Sequence, residues 1–377
     1  MKAQLFGIMF GLLTLGTREA VGQDTLKAAF EGQFLIGTAV REEQFSGSNA
    51  AEAALIGAQF NTISPENVLK WDATEPRAGD FTFDAADRYV EFGVKNGMFV
   101  IGHTLVWHSQ TPVWVFQDAE GAPVDRETLL TRMHDHIRVL VGRYRGKIKG
   151  WDVVNEVLAE DGTLRPSPWL KIIGEDYIAK AFEFAHEADP DAELYYNDYS
   201  IEGGSPKQAG ALALVRKLKA AGVPITAVGI QEHVNLKWPS AQKLDAAIVA
   251  FGQLGVKVVI TELDIDVLPA RSQSTSADIS RTEAADPALN PYVDGLPPAV
   301  QDKLARRYAE LFGVYLKNRG VVRRVTLWGL TDRGSWLNNF PIKGRTNYPL
   351  LFDRAGESKL AYTAVIDASK QRPAVRR

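Results

Sequence analysis

The sequence predicts an α/β protein folded as one closed barrel, on three observations. Short apolar, β-branched runs alternate with longer segments of helical period, eight such runs can be counted, and no linker interrupts them. Eight consecutive βα units define a single (β/α)8 TIM barrel, a fold that holds a chain of 377 residues as one domain. A doubly wound open sheet fits less well, because it needs edge strands and a phosphate loop, and no GxGxxG or GxxxxGK[ST] string is present.

The strand runs are Leu35 to Val40, Thr62 to Glu66, Phe99 to Val106, Gly150 to Glu156, Glu193 to Asp198, Ala227 to His233, Val256 to Asp264 and Val325 to Leu330. The clearest helix runs from Pro298 to Lys317, where Val300, Leu304, Tyr308, Leu311, Phe312 and Tyr315 fall at helical spacing on one face. Segments Asp84 to Asn96, Arg126 to Tyr144, Asp176 to Ala188 and Pro206 to Ala221 read the same way, and Asn96-Gly97 and Ala221-Gly222 have the form of helix stops. The stretch Leu268 to Pro297, rich in Ser, Ala, Asp and Pro, is too long for an ordinary connection and is expected as a loop on the substrate side.

Composition narrows the chemistry. A net charge of -3 and the lack of any Lys/Arg block give no general attraction to nucleic acid, so a neutral or weakly charged partner is expected. With 0 cysteines there is no disulfide framework and no thiolate nucleophile or metal ligand. At the N-terminus, Lys2 precedes an apolar run from Leu5 to Leu15 that ends near Ala20-Val21-Gly22. Residues 1–22 are expected to be a signal peptide, leaving residues 23–377 as one secreted or periplasmic barrel domain; N-terminal sequencing of the mature chain is the check. No later stretch has the length of a membrane span, and a monomer is expected.

Barrel enzymes carry their chemistry at the C-terminal ends of the strands, and here those ends are polar. Run two ends in Glu66, Asn67, Lys70 and Trp71, run three in His103, Trp107, His108 and Gln110, and run four in Asn155 and Glu156. Run five ends in Asn197, Asp198 and Tyr199, run six in Gln231 and His233, run seven in Glu262, Asp264 and Asp266, and run eight in Trp328, Asp332 and Trp336. A burial-only account would put Val, Ile and Leu there instead. Glu156 and Glu262, each closing an apolar run, suggest a paired-carboxylate mechanism of the kind that cleaves glycosidic bonds. A separation of roughly 5 to 5.5 Å would mean retention of configuration and one of roughly 6.5 to 9.5 Å inversion, a choice spacing in sequence leaves open. Trp71, Trp107, Trp328 and Trp336 supply flat apolar faces suited to sugar rings. The rival chemistry is a metal centre from His103, His108 and His233, although no HExxH spacing supports it and the glutamate pair requires no cofactor. His134 and His136, in the predicted third helix, are expected at the surface.

From about residue 35 to 367 these strings resemble glycoside hydrolase family 10, the retaining xylanases. The segments are Ser-Pro-Glu66-Asn67-Val-Leu-Lys70-Trp71, Gly-His103-Thr-Leu-Val-Trp107-His108-Ser-Gln110, Trp-Asp-Val-Val-Asn155-Glu156, Tyr-Asn197-Asp-Tyr199, Gly-Ile-Gln231-Glu-His233, Ile-Thr-Glu262-Leu-Asp264 and Trp328 through Trp336. The resemblance implies an endo-1,4-β-xylanase acting on xylan and xylo-oligosaccharides, with Glu156 as acid/base and Glu262 as nucleophile. It further implies that His233 bridges Glu262 and Asp264, and that Asn155 holds the 2-hydroxyl. His103, Trp107, Gln231, Trp328 and Trp336 would wall that subsite. Glu66, Asn67 and Lys70 would bind the next sugar, and Gln110, Asn197 and Tyr199 would add contacts. Gln110 and Trp336 would crowd the space a hydroxymethyl group needs. The negative charge of Glu262 is expected to raise the pKa of Glu156. Glu232, where the family often has a small residue or Phe, and the 268–297 segment depart from the pattern. Both are expected near the leaving-group side.

Overall fold

The computed structural model describes residues 25–270, 279 and 283–370. The expected signal peptide and part of the 268–297 segment lie outside the described residues.

Nine strands form one parallel sheet: β1 (Leu35–Val40), β2 (Thr62–Pro65), β3 (Phe99–Val106), β4 (Ile148–Asn155), β5 (Glu193–Asp198), β6 (Ala227–Ile230), β7 (His233–Asn235), β8 (Lys257–Asp266) and β9 (Val322–Leu327). β1 pairs with β9 and β6 with β8, so the sheet closes on itself; β7 continues the path of β6 along β8. The result is the eight-position parallel barrel the sequence predicts, with helices around it.

Two local differences have physical causes. The sixth run breaks after Ile230 because Glu232 adopts a left-handed backbone (φ 58°), and pairing resumes only at His233. The last strand starts three residues earlier than predicted because Arg323 and Arg324 hide its pattern. Arg324 is nevertheless buried inside the barrel, with its guanidinium over the Tyr195 ring at 5.4 Å.

The barrel interior holds Ile101, Tyr195, Ala227 and Val259, with Phe99 against them. A much larger apolar layer separates strands from helices. Helix starts are set by side chains that accept from exposed backbone N–H groups: Asn49 for Ala50–Gln59, Asp125 for Arg126–Arg143, Ser205 for Pro206–Ala220 and Ser240 for Ala241–Gln253. The helix Pro298–Lys317 buries Leu304, Tyr308, Leu311, Phe312 and Tyr315, the predicted stripe. Among the described residues no helix is long and apolar enough to cross a membrane.

Two expectations are corrected here. His136 is fully buried, because it falls on the same stripe of its helix as Leu129, Met133, Ile137 and Leu140. Its Nδ1 lies 2.8 Å from Glu75 Oε2 and its ring stacks on Trp71 at 3.7 Å. Burial lowers its pKa against the opposing pull of Glu75. His134, by contrast, is partly exposed beside Glu187. Trp71 is accordingly a core residue packed among His136, Trp114 and Trp169, and offers no face to a ligand.

Candidate active site

At the C-terminal mouth of the barrel lies an open cleft. Thirteen residues singled out from the sequence line it: Glu66, Asn67, Lys70, His103, Trp107, Gln110, Asn155, Glu156, Gln231, His233, Glu262, Trp328 and Trp336. Strand register brings them together. β4 delivers Asn155 and then Glu156, β8 delivers Glu262, and the turn between β6 and β7 delivers Gln231 and His233.

The backbone bends at this rim. Gln110, Glu156 and Glu232 have φ of 46°, 57° and 58°, a region that costs a non-glycine residue on the order of 1–3 kcal/mol and is kept where function demands it. At Glu156 the turn is held by its own N–H, which donates to Asn197 O at 2.9 Å, and by Arg165, whose Nε donates to the Glu156 carbonyl at 2.9 Å.

The two glutamates are connected through amides. Glu156 accepts from Trp107 Nε1 (2.9 Å) on Oε2 and from Gln231 Nε2 (3.1 Å) on Oε1. Gln231 Nε2 also reaches Asn155 Oδ1 at 3.4 Å. Asn197 Nδ2 donates to Asn155 Oδ1 (2.9 Å) and to Glu262 Oε1 (2.8 Å), while its Oδ1 accepts from the Thr261 hydroxyl (2.7 Å). A glycine at 229 is required, since a Cβ there would lie 2.3 Å from Asn197 Oδ1. Glu262 Oε2 lies 3.2 Å from His233 Nε2, and His233 Nδ1 lies 3.0 Å from Asp264 Oδ1. Asp264 Oδ2 in turn accepts from Trp336 Nε1 at 2.6 Å.

These surroundings separate the carboxyls electrostatically. Glu156 is pushed up to about 7 by burial first and by the charge of Asp198 second, against the Gln231 and Trp107 hydrogen bonds. The expected role of Glu262 in that shift is replaced by Asp198, which lies behind Glu156 next to Lys207 Nζ (2.9 Å). Glu262 is equally buried, and burial alone would raise it. The hydrogen bond and charge of His233, with help from His103 and Asn197, overcome that and lower it below the ordinary carboxylate value. His233 feels burial pulling it down, but Asp264 and then Glu262 raise it to about 10.

Lys70 donates to Gln110 Oε1 (2.7 Å) and Asn67 Oδ1 (3.1 Å) and sits 4.9 Å from the Trp107 ring. Burial lowers its pKa while Glu262, Glu66 and Glu156 raise it. Glu66 is raised by burial against Arg41 and Lys70. This end of the cleft is a tight set of hydrogen-bonding groups beside an aromatic face.

Three of the named residues stand behind the cleft surface. Asn197 and Asp264 act through Glu262, Asn155, His233 and Trp336, as above. Tyr199 is buried, accepts from Arg165 (2.9 Å) and lies under Lys207 Nζ (3.1 Å to the ring centroid). Asp266 and Asp332 are likewise away from the cleft, held by Asn347 and Lys359. Glu232 is a further correction: its side chain turns away from the cleft to Tyr315, because the left-handed backbone points it outward between Gln231 and His233.

Sequence reasoning passed over Asp152, Arg165, Asp198 and Ile279. Asp152, bonded to His103 Nδ1 at 2.9 Å, could have been found as a charge inside an apolar strand. Asp198 ends β5 but carried no assigned role, and Arg165 approaches Glu156 across a loop, which no spacing reveals. Ile279, within the long insertion, lines the cleft, on the side expected for that stretch. Its later part is tied to the loop after β9: Glu283 N donates to Pro341 O (2.9 Å), Thr346 N to Asn290 Oδ1 (2.9 Å) and Tyr348 OH to Tyr292 O (2.7 Å). As for the metal rival, His103 and His233 already bond to Asp152 and Asp264, and among the described residues no group of three or more His, Asp or Glu is arranged to hold a metal ion.

A closed α/β barrel whose mouth joins two buried glutamates of oppositely shifted pKa in one hydrogen-bond network, beside aromatic walls, has the form of a glycosidase site. The pattern of Glycosyl hydrolase family 10 matches residues 25–368, and the chain belongs to that family. Among curated relatives, endo-1,4-beta-xylanase A of Xylanibacter ruminicola is 45% identical over 335 residues, spanning 89% of this chain and 90% of that one. The endo-1,4-beta-xylanase of Geobacillus stearothermophilus is 39% identical, spanning 91% and 98%. Among solved structures, a GH10 endoxylanase retrieved from a sugarcane soil metagenome superposes with a TM-score of 0.88 at 46% identity, covering 91% of this chain and 99% of that one. The xylanase TsXylA of Thermoanaerobacterium saccharolyticum, solved as a glutamate-to-alanine mutant with xylotetraose, gives 0.78 at 37%, covering 90% and 97%.

Proposed function

We propose that the protein is an endo-β-1,4-xylanase that retains anomeric configuration. One observation supports the acid and carboxylate roles: two enclosed glutamates share a cleft, with Glu156 raised to about 7, so that it keeps its proton on the acid side of neutrality, and Glu262 lowered. Retention draws on the likeness to glycoside hydrolase family 10. Xylan as substrate draws on the relatives named endo-1,4-beta-xylanase and on the xylotetraose bound by the related TsXylA mutant.

In the first step a Glu262 carboxylate oxygen bonds to the anomeric carbon as the C–O bond to the leaving sugar breaks, and Glu156 gives its proton to the departing oxygen. In the second, water attacks the glycosyl ester while Glu156 takes the water's proton, releasing Glu262. His233, charged between Glu262 and Asp264, keeps the nucleophile ionised without becoming a competing acid, since its pKa of about 10 retains the proton. Asn155, whose Oδ1 accepts from Asn197 and Gln231, bonds the 2-hydroxyl of the sugar being cleaved, a role drawn from the family likeness. Glu66, Asn67, Lys70 and Gln110 bond the next sugar on the non-reducing side.

The test is time-resolved NMR of soluble xylan digestion, with carboxymethylcellulose assayed in parallel. Release of xylo-oligosaccharides with a β-configured first reducing end is expected, with far slower release from the cellulose derivative. An α-configured first product would sink the mechanism, and equal rates on both polymers would sink the substrate.

A further inference from the structure

Between the two side chains that reach the glutamate pair stands a residue facing the other way. Glu232 follows Gln231, which donates to Glu156, and precedes His233, which contacts Glu262. It is fully enclosed, with the Tyr315 hydroxyl of helix Pro298–Lys317 donating to its Oε2, and with no hydrogen-bond partner for Oε1 among the described residues. Its φ of 58° is a conformation that glycine takes freely and glutamate does not. The position therefore combines two unfavourable choices, a strained backbone and a buried carboxyl with one oxygen unpartnered. It also sits at a break in pairing. β6 and β8 last match at Ile230 and Ile260, and β7 and β8 next match at His233 and Asp264, so two intervening residues on one strand oppose three on the other.

We propose that Glu232 is a positioning residue for the catalytic pair: its bond with Tyr315 holds the left-handed turn that delivers Gln231 to Glu156 and His233 to Glu262. Backbone bonds tie the turn to its neighbours, Gln231 N to Asp198 O (3.0 Å), Glu262 N to Gln231 O (3.0 Å) and Asp264 N to Glu232 O (3.4 Å), and the Tyr315 bond adds a side-chain hydrogen bond to Glu232 from outside the barrel. Tyr315 is suited to that task, being enclosed in the longest helix and part of its apolar stripe. Calling the pair catalytic rests on the function proposed above; the geometry of the turn does not.

The charged and titratable groups around Glu232 are Glu202 from the loop after β5, Tyr315 and Arg307 from the helix, and His233 beside it on its own strand. Burial and then Glu202 raise Glu232 to about 8, against the Tyr315 bond and the Arg307 charge, and burial raises Glu202 to about 7. The anchor is thus uncharged where Glu156 is protonated. Above that range two enclosed negative charges accumulate behind the turn, adding a second proton-dependent loss to that of Glu156.

The experiment compares Glu232→Gln, Glu232→Gly and Tyr315→Phe in the full chain. Hydrolysis of an aryl xylobioside is followed across pH, and the His233 ring N–H resonances are followed by NMR. Glu232→Gly relieves the backbone cost but removes the anchor. Glu232→Gly and Tyr315→Phe are each expected to lower kcat about tenfold with KM changed less than about twofold, as misplacement of catalytic groups does. They should also move the His233 resonances. Glu232→Gln should stay within about twofold of the parent near pH 6 and, above pH 8, fall with pH by one proton fewer than the parent. Parental kcat and unmoved His233 signals in Glu232→Gly and Tyr315→Phe overturn the proposal, as does a Glu232→Gln variant no better than Glu232→Gly. If Glu232→Gly does not fold, Tyr315→Phe and Glu232→Gln decide by the same criteria. A parent chain that cleaves no xylan overturns the proposed function, whereas the His233 signals still report on positioning.

Discussion

Glu156 and Glu262 are the same residue type, one just past the end of β4 and the other within β8, with 4% and 5% of their surface exposed, yet their pKa values are driven in opposite directions. Burial pushes both upward. What separates them is the donor each one meets. Glu156 receives an indole and an amide, neither of which carries charge, and has Asp198 behind it. Glu262 receives an amide and a charged imidazole that Asp264 keeps charged. Desolvation with a carboxylate behind it therefore makes an acid, and desolvation beside a buttressed cation makes a nucleophile.

The largest break in this comparison is Glu262→Ala. It should lower aryl xylobioside turnover by about 10⁵-fold or more, in line with the losses of roughly 10⁶ seen when a nucleophile is removed; near-parental activity in a steady-state assay would contradict the assignment. Glu156→Gln comes next, with a loss of about 10²–10⁴-fold on xylan, the usual range for a general acid. The loss should shrink on substrates with an acidic phenol leaving group, which departs without a proton, and equal losses on both would argue against the acid role.

The third test uses pH. Glu156 works as an acid only while protonated, so kcat/KM should fall as pH rises through about 7. Asp198→Asn removes a charge that raises that pKa and leaves Lys207, which lowers it, so the alkaline midpoint should move down. A midpoint that stays put or rises would mean that Asp198 does not set it. The smallest effect is on selectivity. Trp336→Ala opens the wall beside His233 and should shift the ratio of cello- to xylo-oligosaccharide turnover upward by about tenfold, the scale of one small group in a pocket; an unchanged ratio would count against the crowding role.

Much of this was legible in the sequence, because each βα unit announces itself locally and the strand ends are polar where packing alone would make them apolar. The thirteen cleft residues follow from that rule together with the family resemblance. What escaped depends on the far side of each element. His136 and Trp71 read as surface and ligand face, but helix phase and the partner Glu75 place them in the core. Glu232 read as a departure near the leaving-group side, and only its backbone angle shows that it turns out to Tyr315. The source of the Glu156 shift was assigned to the partner carboxylate, whereas Asp198, on the adjoining strand, provides the charge. Such distinctions depend on direction in space, which residue spacing along a strand does not record.

The seam where β9 joins β1 to β8 sets an order on the birth of the enzyme. Both glutamates have been joined to the chain by residue 262, but the strand that seals the cylinder ends at Leu327, and two walls of the cleft, Trp328 and Trp336, come later still. A nascent chain therefore carries its full chemistry for some seventy residues of synthesis before it owns a complete place to use it. The cutting edge is among the last parts to be finished.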